Sequence, residues 1–99
     1  MYSQENKPIL SHSEMKLKVL ITDIETRQDK NNKDFWIIRT ELDEKTVRSY
    51  LAFSTDYNIS SKTVSLLENY PHQLVNRMVF LTIKKKADLE KVINLELER

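Results

Sequence analysis

The chain has no glycine and no cysteine among its 99 residues, and only two prolines, two histidines and one tryptophan. Phosphate-cradling loops of the P-loop and dinucleotide-binding kinds need glycine where the backbone passes close to phosphate, so enzymes built around nucleotide cofactors are disfavoured. Lack of cysteine removes thiolate zinc sites, a cysteine nucleophile and disulfides. His12 and His72 are far apart in sequence and read as surface residues, so neither a metal nor a cofactor is expected. No apolar run approaches the length of a membrane span. The opening MYSQENKPILSHSEM lacks the cationic start and apolar stretch of a signal peptide, which points to the cytoplasm, or to the nucleus in a eukaryote. Charge of one sign is missing too. Sixteen Lys and Arg against fifteen Asp and Glu leave a net charge of +1, unlike a polybasic tail.

What is present suits a small folded domain: 39% of residues are apolar and 31% charged. Residues 1–14 are polar, contain Pro8 and show no periodicity, so they read as a flexible N-terminal arm, with one domain over 15–99. KLKVLITDIETR, from Lys16, is rich in β-branched residues. Val19, Ile21 and Ile24 can share one face if the strand bulges near Thr22-Asp23, where alternation breaks. QDKNNKD is a polar turn cluster, FWIIRTEL a second strand, DEKT a turn and VRSYLAF a third strand. The period then changes. With Ser60 or Ser61 as N-cap, Val64, Leu66, Leu67 and Tyr70 fall on one helical face, and Pro71 ends the run. RMVFLTIKK places Val79, Leu81 and Ile83 on one side of a fourth strand. KKKADLEK reads as a loop, and VINLELE as a fifth strand.

The resulting βββαββ order is that of the OB-fold, a five-stranded, partly open Greek-key barrel. ITDIETR at 21–27, KNNKDFW at 30–36, ELDE at 41–44 and LAF at 51–53 support it. They resemble the opening meander of OB domains in replication protein A and in bacterial replicative DNA polymerases, and the likeness runs from about residue 17 to 97. The usual turn glycine is replaced here by Asn31-Asn32. An SH3-like small barrel is the alternative fold.

OB domains bind along strands two and three, between the loop joining strands one and two and the loop joining strands four and five. In strand two, Trp36, Ile38, Thr40 and Leu42 form the more apolar set and are expected inside, leaving Phe35, Ile37, Arg39 and Glu41 outside. In strand three, alternation puts Val47, Ser49, Leu51 and Phe53 inward and Arg48, Tyr50 and Ala52 outward. The resemblance implies the reverse for Phe53, because in replication protein A the aromatic closing the matching strand stacks on a base. Lys30 and Lys33 sit in the first loop, with Lys84, Lys85, Lys86 and Lys91 in the last, suited to phosphate contacts. Trp36 reads as plain core and Tyr70 as a core contact at the helix end. Arg39 can also serve a cross-strand ion pair with Glu25.

No nucleophile, base and orienting residue stand in a suggestive arrangement, and Glu96 and Glu98 read as the solvent face of a strand. The expectation is a non-enzymatic protein that binds single-stranded nucleic acid, DNA ahead of RNA, with little sequence preference. It would serve as an accessory factor in replication, recombination, or plasmid and phage maintenance. Its contacts would be Lys30, Lys33, Phe35, Arg39, Arg48, Tyr50, Phe53, Lys84, Lys85 and Lys86. A single barrel covers few nucleotides, so a homo-oligomer or a replication-complex protein is an expected partner. The rival expectation is an OB subunit whose barrel serves protein assembly, favoured by the near-neutral charge and by Glu41, Asp43 and Glu44.

Overall fold

Period-two stretches of the sequence resolve into five strands in a computed structural model that describes residues 14–98. The arm expected over 1–14 lies outside the described residues, except for Glu14, which opens the first strand. The elements are β1 (Glu14–Gln28), β2 (Asp34–Glu41), β3 (Val47–Phe53), α1 (Ser61–Asn69), a single turn α2 (Pro71–Leu74), β4 (Met78–Lys86) and β5 (Leu89–Leu97). They form a closed barrel in the order β1-β2-β3-β5-β4, with β4 returning to β1 and β3 running parallel to β5. The architecture is predominantly β with helix between the third and fourth strands, compatible with an OB-like fold.

Closure depends on β1. Its first half pairs with β4 and its second half with β2, and the pairing shifts between Ile21 and Asp23, at the expected bulge. A bulge adds one residue to one strand and bends it, so a single strand can serve both sides of a barrel. At the bend, Ile21 donates to the Arg77 carbonyl at 3.0 Å and accepts from the Asn76 amide at 2.7 Å, so both Ile21 backbone groups are satisfied. The bulge also returns Ile24 toward the core, where it opposes buried Ile38 and packs against the hydrophobic cluster.

Trp36, Ile38, Leu81, Ile83, Val92 and Leu95 fill the barrel. Ser60 caps α1: its Oγ accepts the Thr63 amide at 3.2 Å. Buried Thr63 fastens the helix to the barrel, because its Oγ1 accepts the Leu95 amide at 2.8 Å. Leu67 and Leu74 enter the same core. Tyr70, expected there, is 49% exposed. The chain leaves α1 at Tyr70 with φ of −133°, and Pro71 starts a new turn that puts Leu74 in the core position instead.

Strand three faces the opposite way from the alternation count. Tyr50 and Ala52 are buried, whereas Val47 is 67% exposed and Phe53 half-buried on the outside. The reason is pairing: directly opposed residues of antiparallel strands point to the same face. Trp36 opposes Ala52 and Ile38 opposes Tyr50, so the inward set of β2 dictates that of β3. Small Ala52 leaves room for the indole. The β2–β3 connection sets this register, with the Leu42 amide bonded to the Thr46 carbonyl at 3.0 Å. Asp43 Oδ1 accepts the Lys45 and Thr46 amides at 2.8 and 2.9 Å.

Lys84, Lys85 and Lys86, expected in a loop, are the last three residues of β4. They oppose Lys91, Glu90 and Leu89 across a hairpin whose turn is only Ala87-Asp88. Alternation in apolar residues could not extend the strands this far, because both continue into water as lysine and glutamate.

Candidate nucleic-acid interface

Reversal of β3 builds the candidate site. On the outer side of β2 and β3 the opposed pairs are Phe35 with Phe53, Ile37 with Leu51, Arg39 with Ser49 and Glu41 with Val47. The two phenylalanine rings stack with centroids 5.6 Å apart and planes at 27°. Offset stacking of this kind fixes both rings and leaves ring surface for a further planar group. Phe53 was the residue on which alternation and resemblance disagreed; it lies on the outer face, as the resemblance implied. Tyr50, expected to stack on a base, is 2% exposed and belongs to the core. Burial pushes its phenol up from the ordinary tyrosine value.

The face is graded in charge from one side to the other. Strand pairings place Glu25, Ile37, Leu51, Lys91 and Lys84 in one row around the barrel. On the β1 flank, Arg39 Nη1 lies 2.7 Å from Asp23 Oδ2 and its Nη2 3.0 Å from Glu25 Oε1. Arg27 Nε takes the other Glu25 oxygen at 2.6 Å. Two acids meet two arginines and the flank is balanced. Hydrogen bonds from Arg27 and then Arg39 hold the Glu25 carboxyl below the ordinary glutamate value, and Glu25 raises the Arg39 guanidinium in turn.

On the other flank a groove of about 710 Å³ is lined by Phe53, Tyr57 and Leu89 together with Lys84, Lys85, Lys86, Lys91 and Asp56. Four lysines thus face one aspartate. Asp56 Oδ1 accepts the Asn58 amide at 3.0 Å and lies 3.5 Å from Lys91 Nζ, and the Asp56 side chain is only 3% exposed. This buried pair anchors the loop that carries Tyr57, which is 98% exposed. The Ser54 amide donates to the Asp34 carbonyl at 3.1 Å and ties the start of that loop to the base of the β1–β2 hairpin. Lys30 and Lys33 are exposed in the hairpin tip, shaped by Asp29 Oδ1 accepting the Asn31 and Lys33 amides.

The structure therefore lines one groove with Phe53 and Lys84–Lys86, stacks Phe35 on Phe53, and puts Lys30 and Lys33 on the adjoining hairpin. It places Arg39 in an ion-pair network. Arg48 lies 3.7 Å from Glu90 of the β4–β5 hairpin and is paired with it. Sequence reading missed Tyr57 and Leu89. Leu89 lies in a segment read as loop and Tyr57 between the third strand and the helix, where no element was assigned; only strand pairing and the anchored loop bring them beside Phe53. Among the described residues there is no group of three or more His, Cys, Asp or Glu able to hold a metal, and no helix long and apolar enough to cross a membrane. No family model, no curated protein and no solved structure matches the chain.

Proposed function

We propose that the protein is a non-enzymatic binder of single-stranded nucleic acid, DNA ahead of RNA, acting with little sequence preference. The observation that carries this reading is the stacked Phe35–Phe53 pair on the outer face, bordered by a groove with four lysines and one aspartate. Aromatic surface beside a basic track is the combination single-strand binders use: any base offers a π-face, and phosphates are met by cations. In this reading Phe35 and Phe53 take bases, Tyr57 supplies a further platform, and Lys84, Lys85 and Lys86 follow the backbone. Lys30 and Lys33 add phosphate contacts at the hairpin tip. Unpaired bases reach the rings directly, whereas bases stacked in a duplex do not. The resemblance of the meander to replication domains supports a role as an accessory factor in replication, recombination, or plasmid and phage maintenance.

A second reading, an assembly subunit, draws on half-buried Ile37 and Leu51, which continue the phenylalanine strip as an aliphatic surface suited to a protein partner. One titration separates the two. Anisotropy of a labelled oligothymidine is followed at low and moderate salt, beside duplex DNA and the variant Phe35→Ala/Phe53→Ala. Salt-sensitive single-strand binding weakened by the double substitution is the expected result. Absence of binding by the folded protein at high micromolar concentration refutes the first reading and favours the second.

A further inference from the structure

Arginine on a nucleic-acid-binding face ordinarily serves phosphate, yet Arg39 is placed otherwise. Both of its terminal nitrogens are occupied, by Asp23 and by Glu25, and the remaining oxygen of Glu25 holds Arg27. Three contacts of 2.6–3.0 Å thus leave neither Arg27 nor Arg39 uncompensated. Across the apolar row, Lys84, Lys85 and Lys86 line the groove with no ion pair among the described residues, while Lys91 is held by Asp56. Phosphate is attracted to local excess rather than to balanced pairs, so the face has one phosphate track and not two.

We propose that Asp23 and Glu25 are specificity-determining residues: by neutralising Arg39 and Arg27 they keep phosphates off the side of β1 that carries these pairs, leave them to Lys84–Lys86 and the hairpin-tip Lys30 and Lys33, and so restrict the face to one strand. This rests on the nucleic-acid reading above. The bound strand lies with its backbone along the β4–β5 hairpin and its bases directed over Phe53, Phe35, Leu51 and Ile37 toward β1. A duplex brings a second backbone, and that backbone falls on the side where both arginines are already paired. Arg39 is then a positioning residue for the carboxylates and not a phosphate ligand.

The test compares the wild type with Asp23→Asn/Glu25→Gln and, separately, Arg39→Ala. Labelled oligothymidine and a duplex of equal length are titrated over a series of salt concentrations. Each phosphate contact to a single strand contributes about 0.7 to the slope of log affinity against log salt, and about 0.9 for duplex. Arg39→Ala is expected to leave the single-strand slope unchanged. The carboxamide variant, which frees two arginines, is expected to steepen the duplex slope by about 0.9 or more and to lose preference for single strands. A fall of about 0.7 in the single-strand slope for Arg39→Ala overturns the proposal, because Arg39 then contacts phosphate. An unchanged preference in the folded carboxamide variant, checked by circular dichroism, overturns it as well. Both results leave single-strand binding itself standing, whereas failure of the wild type to bind any oligonucleotide removes the nucleic-acid reading and this proposal together.

Discussion

Replacing Phe53 and Tyr50 by alanine, one at a time, tests the orientation of β3 and the role of its outer face together. Phe53 is half-buried and its specific partner is the Phe35 ring, 5.6 Å away. An aromatic pair contributes about 0.5–1.5 kcal/mol beyond area burial, so Phe53→Ala is expected to cost about 1–2 kcal/mol of stability. Small domains hold about 5–15 kcal/mol in reserve, so the variant stays folded. Tyr50 is enclosed among core residues, and truncating a large buried aromatic costs about 3–5 kcal/mol through lost transfer energy and the cavity left behind. Binding responds the other way. Loss of one stacked base removes about 1–3 kcal/mol, a roughly 5- to 150-fold rise in Kd for Phe53→Ala. Urea denaturation reports the first quantity and anisotropy with oligothymidine the second. The reasoning is refuted if Phe53→Ala binds as tightly as wild type, or if Tyr50→Ala unfolds no more readily than Phe53→Ala.

Further outcomes follow from particular residues. Ala87 holds φ of 55°, where its Cβ is unfavourable, so Ala87→Gly is expected to stabilise by about 0.5–1 kcal/mol, raising Tm by a few degrees in calorimetry. Thr63→Val keeps the shape but strands the buried Leu95 amide, for a loss of about 1–3 kcal/mol in urea titration. Acid should weaken the fold through Glu25, Asp43 and Glu96, whose carboxyls are all lowered on folding. Arg27 and Arg39 lower the first; the Lys45 amide and the Thr46 side chain and amide lower the second; Lys16 lowers the third. Their contribution is complete above the ordinary carboxylate values and fades as pH falls through the lowered ones. Unfolding midpoints measured down a pH series should therefore hold steady through neutrality and drop in acid; a midpoint that rises on acidification contradicts the pairing.

Much of the barrel was legible from local chemistry. Alternation, or density of aromatic and β-branched residues, marked the five strands, the broken alternation at Thr22-Asp23 marked the bulge, and Ser60 or Ser61 was expected to cap the helix, as Ser60 does. Those signals are local: a cap, a bulge or an inward face of β2 depends on neighbours a few residues away. The site was less legible because its parts belong to different strands. Lys84–Lys86 read as loop, since apolar periodicity stops before the hairpin does, and Tyr57 carried no periodic signal at all.

Composition and pattern by themselves marked a β-rich fold with no glycine for phosphate-cradling loops and no cysteine for thiol chemistry. Local hydrophobic periodicity and turn residues suffice for that, because each element needs only its own neighbours to declare itself. Tertiary pairing alone decided which side of β3 faces water, since a strand with apolar residues of both parities takes its orientation from its partner. Trp36 opposite Ala52 sent Tyr50 inward and Phe53 outward. The same pairing set Arg39 between two carboxylates and the lysines opposite, so the charge gradient of the face belongs to the closed barrel and not to any one strand.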